Sequence, residues 1–167
     1  MKPIEGYNKL RGGYYTPKKI AEFIATWAIR TKNDEILEPS CGDGSFISAI
    51  ADRLHEMGAS DQSIKHNVTG VELDKVEASK ASQYGPNVVE SDFFTYYQKC
   101  IDGEKEFDVI GGNPPFIGYQ NFEEEYRKVA FELMTKHGFQ PNRLMNIWLP
   151  FLVLACKALK PDGRVGM

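Results

Sequence analysis

The sequence is poor in the residues that build metal centres and disulfides. Its three cysteines, Cys41, Cys100 and Cys156, are an odd count and form no C-x-x-C pair, so neither a thiolate zinc site nor a disulfide framework is supported and reduced thiols are expected. His55, His66 and His137 fall in no ligand spacing. No long hydrophobic run exists either: the longest, Ile147 to Ala158, is broken by Pro150 and Lys157 and falls short of the roughly 20 residues a membrane span requires. Residues 1 to 11 (MKPIEGYNKLR) lack the apolar core of a secretion signal, so a cytoplasmic location with no membrane partner is expected. An excess of basic charge is missing too. Twenty Lys and Arg stand against 23 Asp and Glu, for a net charge of −3, which is not the footprint of a nucleic-acid binder acting alone. The 167 residues, 42% hydrophobic and 26% charged, otherwise suit one globular domain.

Helical and strand-like apolar spacings alternate along the chain. Thr16-Pro17 predicts a helix start, with the hydroxyl as N-cap, and Ile20, Phe23, Ile24, Trp27 and Ala28 predict its inner face. A short strand is expected at 35–38, then a Gly-bearing turn and a helix with Phe46, Ile47, Ile50, Leu54 and Met57 inward. Further strands are expected at 67–73, 87–90 and 107–110, and a fifth from Arg164 after the turn 160–163. Helices are expected at about 76–83, 123–137 and 146–159. This alternation predicts an α/β fold, a parallel sheet with helices on both faces, whose ligands sit beyond the C-terminal strand ends.

The first loop, Ser40-Cys41-Gly42-Asp43-Gly44, has glycines that let the backbone approach a ligand. Ile47 stands where the dinucleotide fingerprint needs a third glycine, and Ser45-Phe46 replaces the Lys-Ser/Thr of a P-loop. A ligand without phosphates fits better. Glu38, Glu72 and Asp92 at the ends of the first three strands support one: Glu72 to accept hydrogen bonds from ribose hydroxyls, Asp92 from an adenine amine, with Phe93 offering a ring face. Glu38 would repel a phosphate but suits an ammonium or sulfonium. Together these groups describe S-adenosylmethionine.

Asn113-Pro114-Pro115-Phe116 follows the fourth strand. Two consecutive prolines fix two φ angles and remove two donors, so the turn presents acceptors in fixed directions. The Asn113 amide oxygen and Pro114 carbonyl are placed to accept both hydrogens of an NH₂ group, which localises a lone pair otherwise delocalised into a π system. Phe116 is expected to stack on the ring bearing that amine, a contact worth about 1–3 kcal/mol for a nucleobase. Methyl transfer would then rest on positioning and electrostatics. Attack at cytosine C5 needs an activated cysteine, and no cysteine here follows a proline as that mechanism's does.

These segments resemble the amino-group DNA methyltransferases, specifically the N6-adenine enzymes with the gamma order of motifs. Gly13-Tyr14-Tyr15-Thr16-Pro17 looks like motif X, Glu38-Pro39-Ser40-Cys41-Gly42-Asp43-Gly44-Ser45-Phe46 like motif I, Gly70 to Asp74 like motif II, Ser91-Asp92-Phe93 like motif III and Asn113 to Phe116 like motif IV. The stretch from Gln120-Asn121-Phe122 through Asn142 to Trp148 resembles a restriction-modification branch. The resemblance implies a Rossmann-like class I fold truncated at the fifth strand, with 1–30 as the motif X helix, 35–116 as the cofactor and catalytic motifs, 117–145 as a lid, and 146–167 as a helix entering the fifth strand. It implies Tyr15 and Thr16 against the methionine part of S-adenosylmethionine, with Glu38, Pro39, Cys41, Gly42, Gly44, Glu72, Asp92 and Phe93 as further cofactor contacts. It implies double-stranded DNA as partner, held mainly by a C-terminal target-recognition domain outside this chain, and a restriction endonuclease, fused or separate. The same tetrapeptide occurs in enzymes acting on an rRNA guanine amine, a release-factor glutamine amide or cytosine N4. Those readings stay open, as does a cofactor-binding piece inactive on its own.

Overall fold

A computed structural model describes residues 16–118, 121–142 and 144–167. Five parallel strands form one sheet in the order β3-β2-β1-β4-β5: β1 (Ile36–Glu38), β2 (Val68–Glu72), β3 (Asn87–Glu90), β4 (Phe107–Gly111) and β5 (Leu159–Gly166). The helices are α1 (Lys18–Ala28), α2 (Ser45–Glu56), α3 (Asp61–Asn67), α4 (Lys75–Ala81), α5 (Phe93–Cys100), α6 (Glu124–Lys136) and α7 (Trp148–Lys157). Adjacent residues of the central strand feed opposite faces, as the two-residue strand period requires. Ile36 packs with α1 to α4 around Ile47, Ile50 and Leu54, whereas Leu37 packs with α5 to α7 around Phe94, Tyr97 and Leu154. Both faces are therefore covered, as expected for a doubly wound parallel sheet.

The polar residues after the strands start helices. Asp74 accepts from the Val76 and Glu77 amides at 2.9 and 3.2 Å, and Asp92 accepts from the Thr95 amide at 3.0 Å. These side chains satisfy amide donors that have no partner within the helix. The ends of β2 and β3 thereby each gain both a carboxylate and a helix N-terminus.

Helix α1 corrects the sequence reading twice. Its N-cap is Pro17, with no side-chain capping bond, and not Thr16. Its buried face is Ala21, Ala25 and Ala28, while Ile20, Phe23 and Trp27 are 51%, 72% and 55% exposed. Small side chains let α1 lie close against α2. Replacing Ala25 with leucine therefore costs about 1–3 kcal/mol of overpacking, whereas Phe23→Ser changes stability by no more than about 0.5 kcal/mol. Urea unfolding of the two variants checks this, and the opposite ranking would restore the bulky face to the core.

The fifth strand also differs from expectation. It begins at Leu159, opposite Phe107, and resumes against Val109 at Arg164, so the expected turn 160–163 projects as an irregularity inside the strand, with Asp162 at φ 64°. The cause lies at the N-terminal end of the sheet. Lys160 bonds Glu35 at 2.7 Å and Asp108 at 3.0 Å, and Arg164 bonds Asp34 at 3.1 Å. Burial alone would raise the Asp108 carboxyl, but the Glu35 amide and Lys160 outweigh it and hold the group below its ordinary value.

Candidate active site

Beyond the C-terminal ends of the strands lies a cavity of about 270 Å³. Its floor is the loop after β1. Gly42 sits at φ 53°, and its amide donates to Glu72 Oε2 at 2.8 Å. The other Glu72 oxygen accepts from the Asp74 amide at 2.8 Å, so this side chain ties the loop to the end of β2. Burial raises the Glu72 carboxyl, while its bonds from the Asp74 and Gly42 amides pull the other way.

The lining carries the carboxylates of Glu38, Asp43, Glu72, Asp74, Glu77, Asp92 and Glu123, and among the described residues no lysine, arginine or histidine. An enclosed space with charge of one sign favours a ligand of the opposite sign and repels phosphate. Glu38 is the most confined of the group, only 2% exposed, and its Oε2 is buried without a hydrogen-bond partner. Burial, then the charges of Glu72 and Asp43, push its carboxyl well above the ordinary range. An orphaned buried acceptor in such surroundings fits a cationic group of a ligand.

Thr16, Glu38, Pro39, Cys41, Gly42, Glu72, Asp92, Phe93, Asn113 and Pro115 all line this cavity. Tyr15 lies outside the described residues. Gly44 stands outside the lining and packs against Ala81 and Tyr84. Phe93 opens α5 and has one face stacked on Phe151, with ring centroids 4.9 Å apart. The Cys41 thiol is buried and pushed up by burial and by Glu38, which leaves it protonated and unsuited to nucleophilic attack.

Asn113 lies at the cavity edge, two residues past β4. The loop it opens is fixed downstream: the Ile147 amide donates to the Ile117 carbonyl at 3.0 Å, and Gly118 pairs with Asn146 in an isolated antiparallel bridge. Phe116 and Pro114 are not part of the lining. The Phe116 ring, 59% exposed, stacks on Trp148 at 5.9 Å and 26°. Asn113 and Pro115 of the tetrapeptide thus line the cavity, whereas Phe116 belongs to the aromatic pair outside that lining.

Sequence reasoning placed 121–126 in a lid and quoted Asn121, Phe122 and Trp148 only within a resemblance, without naming them as site residues; Asn121, Phe122, Glu123, Tyr126 and Phe151 close the cavity from α6, the turn before it and α7. Only the turn preceding α6 carries a local signal, in its Asn-Phe-Glu polarity switch. The others meet the site through tertiary packing, with Phe122 edge-on to Phe94.

The profile of the N-6 DNA Methylase family matches residues 4–167. The type II methyltransferase M.HincII of Haemophilus influenzae is 32% identical over 156 residues, covering 92% of this chain and 26% of that protein. The modification methylase CviBIII of Paramecium bursaria Chlorella virus NC1A is 32% identical over 122 residues, covering 66% of this chain and 28% of the relative. The chain therefore spans about a quarter of the length of these relatives. Among solved structures, the DrdV–DNA complex superposes with a TM-score of 0.69 at 20% identity, over 97% of this chain and 21% of that one. A modification subunit of a type I restriction enzyme from Vibrio vulnificus YJ016 gives 0.65 at 17%, over 92% and 34%. The fold is that of class I S-adenosylmethionine-dependent methyltransferases, and with a family profile that runs nearly from end to end, the chain belongs to the N-6 DNA methylases.

Proposed function

We propose that this chain is the cofactor-binding and amine-activating part of a longer enzyme that methylates the N6 amino group of adenine in duplex DNA, within a restriction-modification system. The observation that carries the reading is the placement of Asn113-Pro114-Pro115-Phe116 at the end of β4, on the rim of an acid-lined cavity. S-adenosylmethionine fits that cavity by charge, because it carries a sulfonium and an ammonium and no phosphate. When bound, it supplies a methyl group on a good leaving group. Glu72, Asp92 and the Gly42 loop would hold the adenosine part, and Thr16 and Glu38 the charged amino-acid part. Asn113 and the Pro114 carbonyl would accept the two hydrogens of the target amine and aim its lone pair into the cavity. Phe116 would take the base on its exposed face.

A base in duplex DNA reaches such a site only by leaving the stack, at a cost of a few kcal/mol. Phosphate contacts must offset that cost, and a chain of net charge −3 is poorly equipped to make them. That task falls to the additional length that the relatives possess. The relatives support a restriction-modification setting, because they include type II methyltransferases and a type I modification subunit.

Labelled methyl transfer by the full-length parent protein to duplex DNA, followed by digestion to nucleosides, is expected to place the label in N6-methyladenine. Label in N4-methylcytosine, rRNA or a protein glutamine would overturn the substrate assignment.

A further inference from the structure

Two aromatic rings at the site are backed by the same helix. Phe93, in the cavity lining, has one face stacked on Phe151, with ring centroids 4.9 Å apart and 22° between the planes. Phe116, outside the lining, is stacked on Trp148 at 5.9 Å and 26°. Trp148 and Phe151 stand three residues apart on α7, which makes them neighbours on one side of the helix. The Phe93 pair belongs to the cavity. The Phe116 pair does not, and the cavity by itself requires no tryptophan at position 148.

Trp148 is the anchored member of its pair. Its backbone amide donates to Asn146 Oδ1 at 3.0 Å, Asn146 is bridged to Gly118, and the preceding Ile147 is fully buried in the same core cluster as Phe151 and Leu154. Phe116 is 59% exposed on the turn after β4. An exposed side chain samples several rotamers, and ordering it when a ligand arrives subtracts from the gain of the contact. A ring already laid against an anchored indole has that ordering done, and its outer face stays open.

The tilt of this ring bears on the chemistry. A base stacked on Phe116 takes up nearly the plane of the ring, and the lone pair of an aryl amine, conjugated with the base, points along the normal to that plane. The orientation of Phe116 therefore sets the line along which an amine at Asn113 meets the methyl carbon, and misplacement by about 1 Å is enough to slow such a step severely.

We propose that Trp148 is a positioning residue for the target base: its indole backs Phe116 and fixes the plane in which the base is received. This rests on the reading of Asn113 to Phe116 as the base site. Trp148 acts through Phe116 and touches neither the base nor the cofactor.

Single-turnover methylation of duplex DNA by the full-length parent protein, with cofactor saturating, tests this through a double-mutant cycle. Phe116→Ala removes the stack and is expected to slow transfer by about 10–100-fold. Trp148→Ala should slow it by about 5–10-fold, with cofactor affinity within about twofold of wild type. In the Phe116→Ala background the same change should cost less than about twofold more, because no ring is left to orient. Trp148→Phe, which keeps a flat face, should stay within about twofold of wild type, whereas Trp148→Leu, which keeps bulk alone, should be as slow as Trp148→Ala. An unchanged rate in Trp148→Ala, an equal loss from it with and without the Phe116 ring, or a Trp148→Leu variant as fast as Trp148→Phe would each overturn the proposal. Transfer at the wild-type rate by Phe116→Ala would instead overturn the base-site reading on which it rests, so the two failures are distinguishable. The phenylalanine and leucine variants keep most of the volume at the start of α7, so their comparison stands even if Trp148→Ala does not fold.

Discussion

Replacing Asn113 with alanine in the full-length enzyme is expected to lower the methyl-transfer rate by about 10²–10³-fold, the typical loss when one preorganised polar group at a reacting centre is removed. Cofactor affinity should stay within about threefold, because the cavity floor is made by the Gly42 loop and Glu72, which the change does not touch. The asymmetry follows from where the residue lies. Asn113 stands on the rim, in a loop held from the far side by the Ile117–Ile147 hydrogen bond and the Gly118–Asn146 bridge, so the backbone that carries it is anchored before any substrate arrives. An aryl amine is a poor nucleophile, and localising its lone pair has value only as the methyl group approaches. The loss should therefore appear in kcat with little change in KM for DNA. A variant with a raised KM and an unchanged kcat would show that Asn113 binds the base without activating it.

The tetrapeptide was legible because its chemistry is local: two prolines and an amide define their own geometry wherever the strand ends. The positions of Glu38, Glu72 and Asp92 at the strand ends were legible for the same reason, although Asp92 caps α5, a use that spacing alone does not separate from ligand binding. Helix α1 was misread because it carries two apolar stripes. Ile20, Phe23 and Trp27 repeat at helical spacing, and so do Ala21, Ala25 and Ala28. Periodicity ranks the stripes by bulk, whereas packing against α2 selects the smaller one. Helices α3 and α5 passed unnoticed because each is one or two turns long and begins at a serine or aspartate that also suits a turn. The stacking of Phe116 on Trp148 joins residues 32 positions apart through the α7 N-terminus. No local pattern encodes it.

The difference between the two glycines of the first loop provides the second large effect. Gly44→Ala is expected to destabilise the chain by about 2–5 kcal/mol, the sum of a left-handed backbone for a residue with a Cβ and of an overpacked contact. Gly44 adopts φ 87° at the start of α2, and an added Cβ would lie 2.7 Å from the Ala81 Cα, 2.9 Å from Tyr84 Cδ2 and 3.0 Å from the Ala81 Cβ. The nearest of these atoms is backbone and cannot swing aside, so α4 and the turn after it must shift. For a domain of this size the melting temperature should fall by roughly 5–15 °C. Gly42 shares the positive φ, at 53°, but nothing lies within 4 Å of a Cβ there. Gly42→Ala therefore bears the backbone term alone, about 1–2 kcal/mol, although Gly42 is the one that lines the cavity. Thermal unfolding of the two variants separates the two positions: Gly44 serves the packing of α2 on α4, whereas Gly42 faces the open cavity. Equal losses of stability would mean that the close contact with Ala81 is relieved at little cost, and that the loop's second glycine is required for its backbone conformation alone.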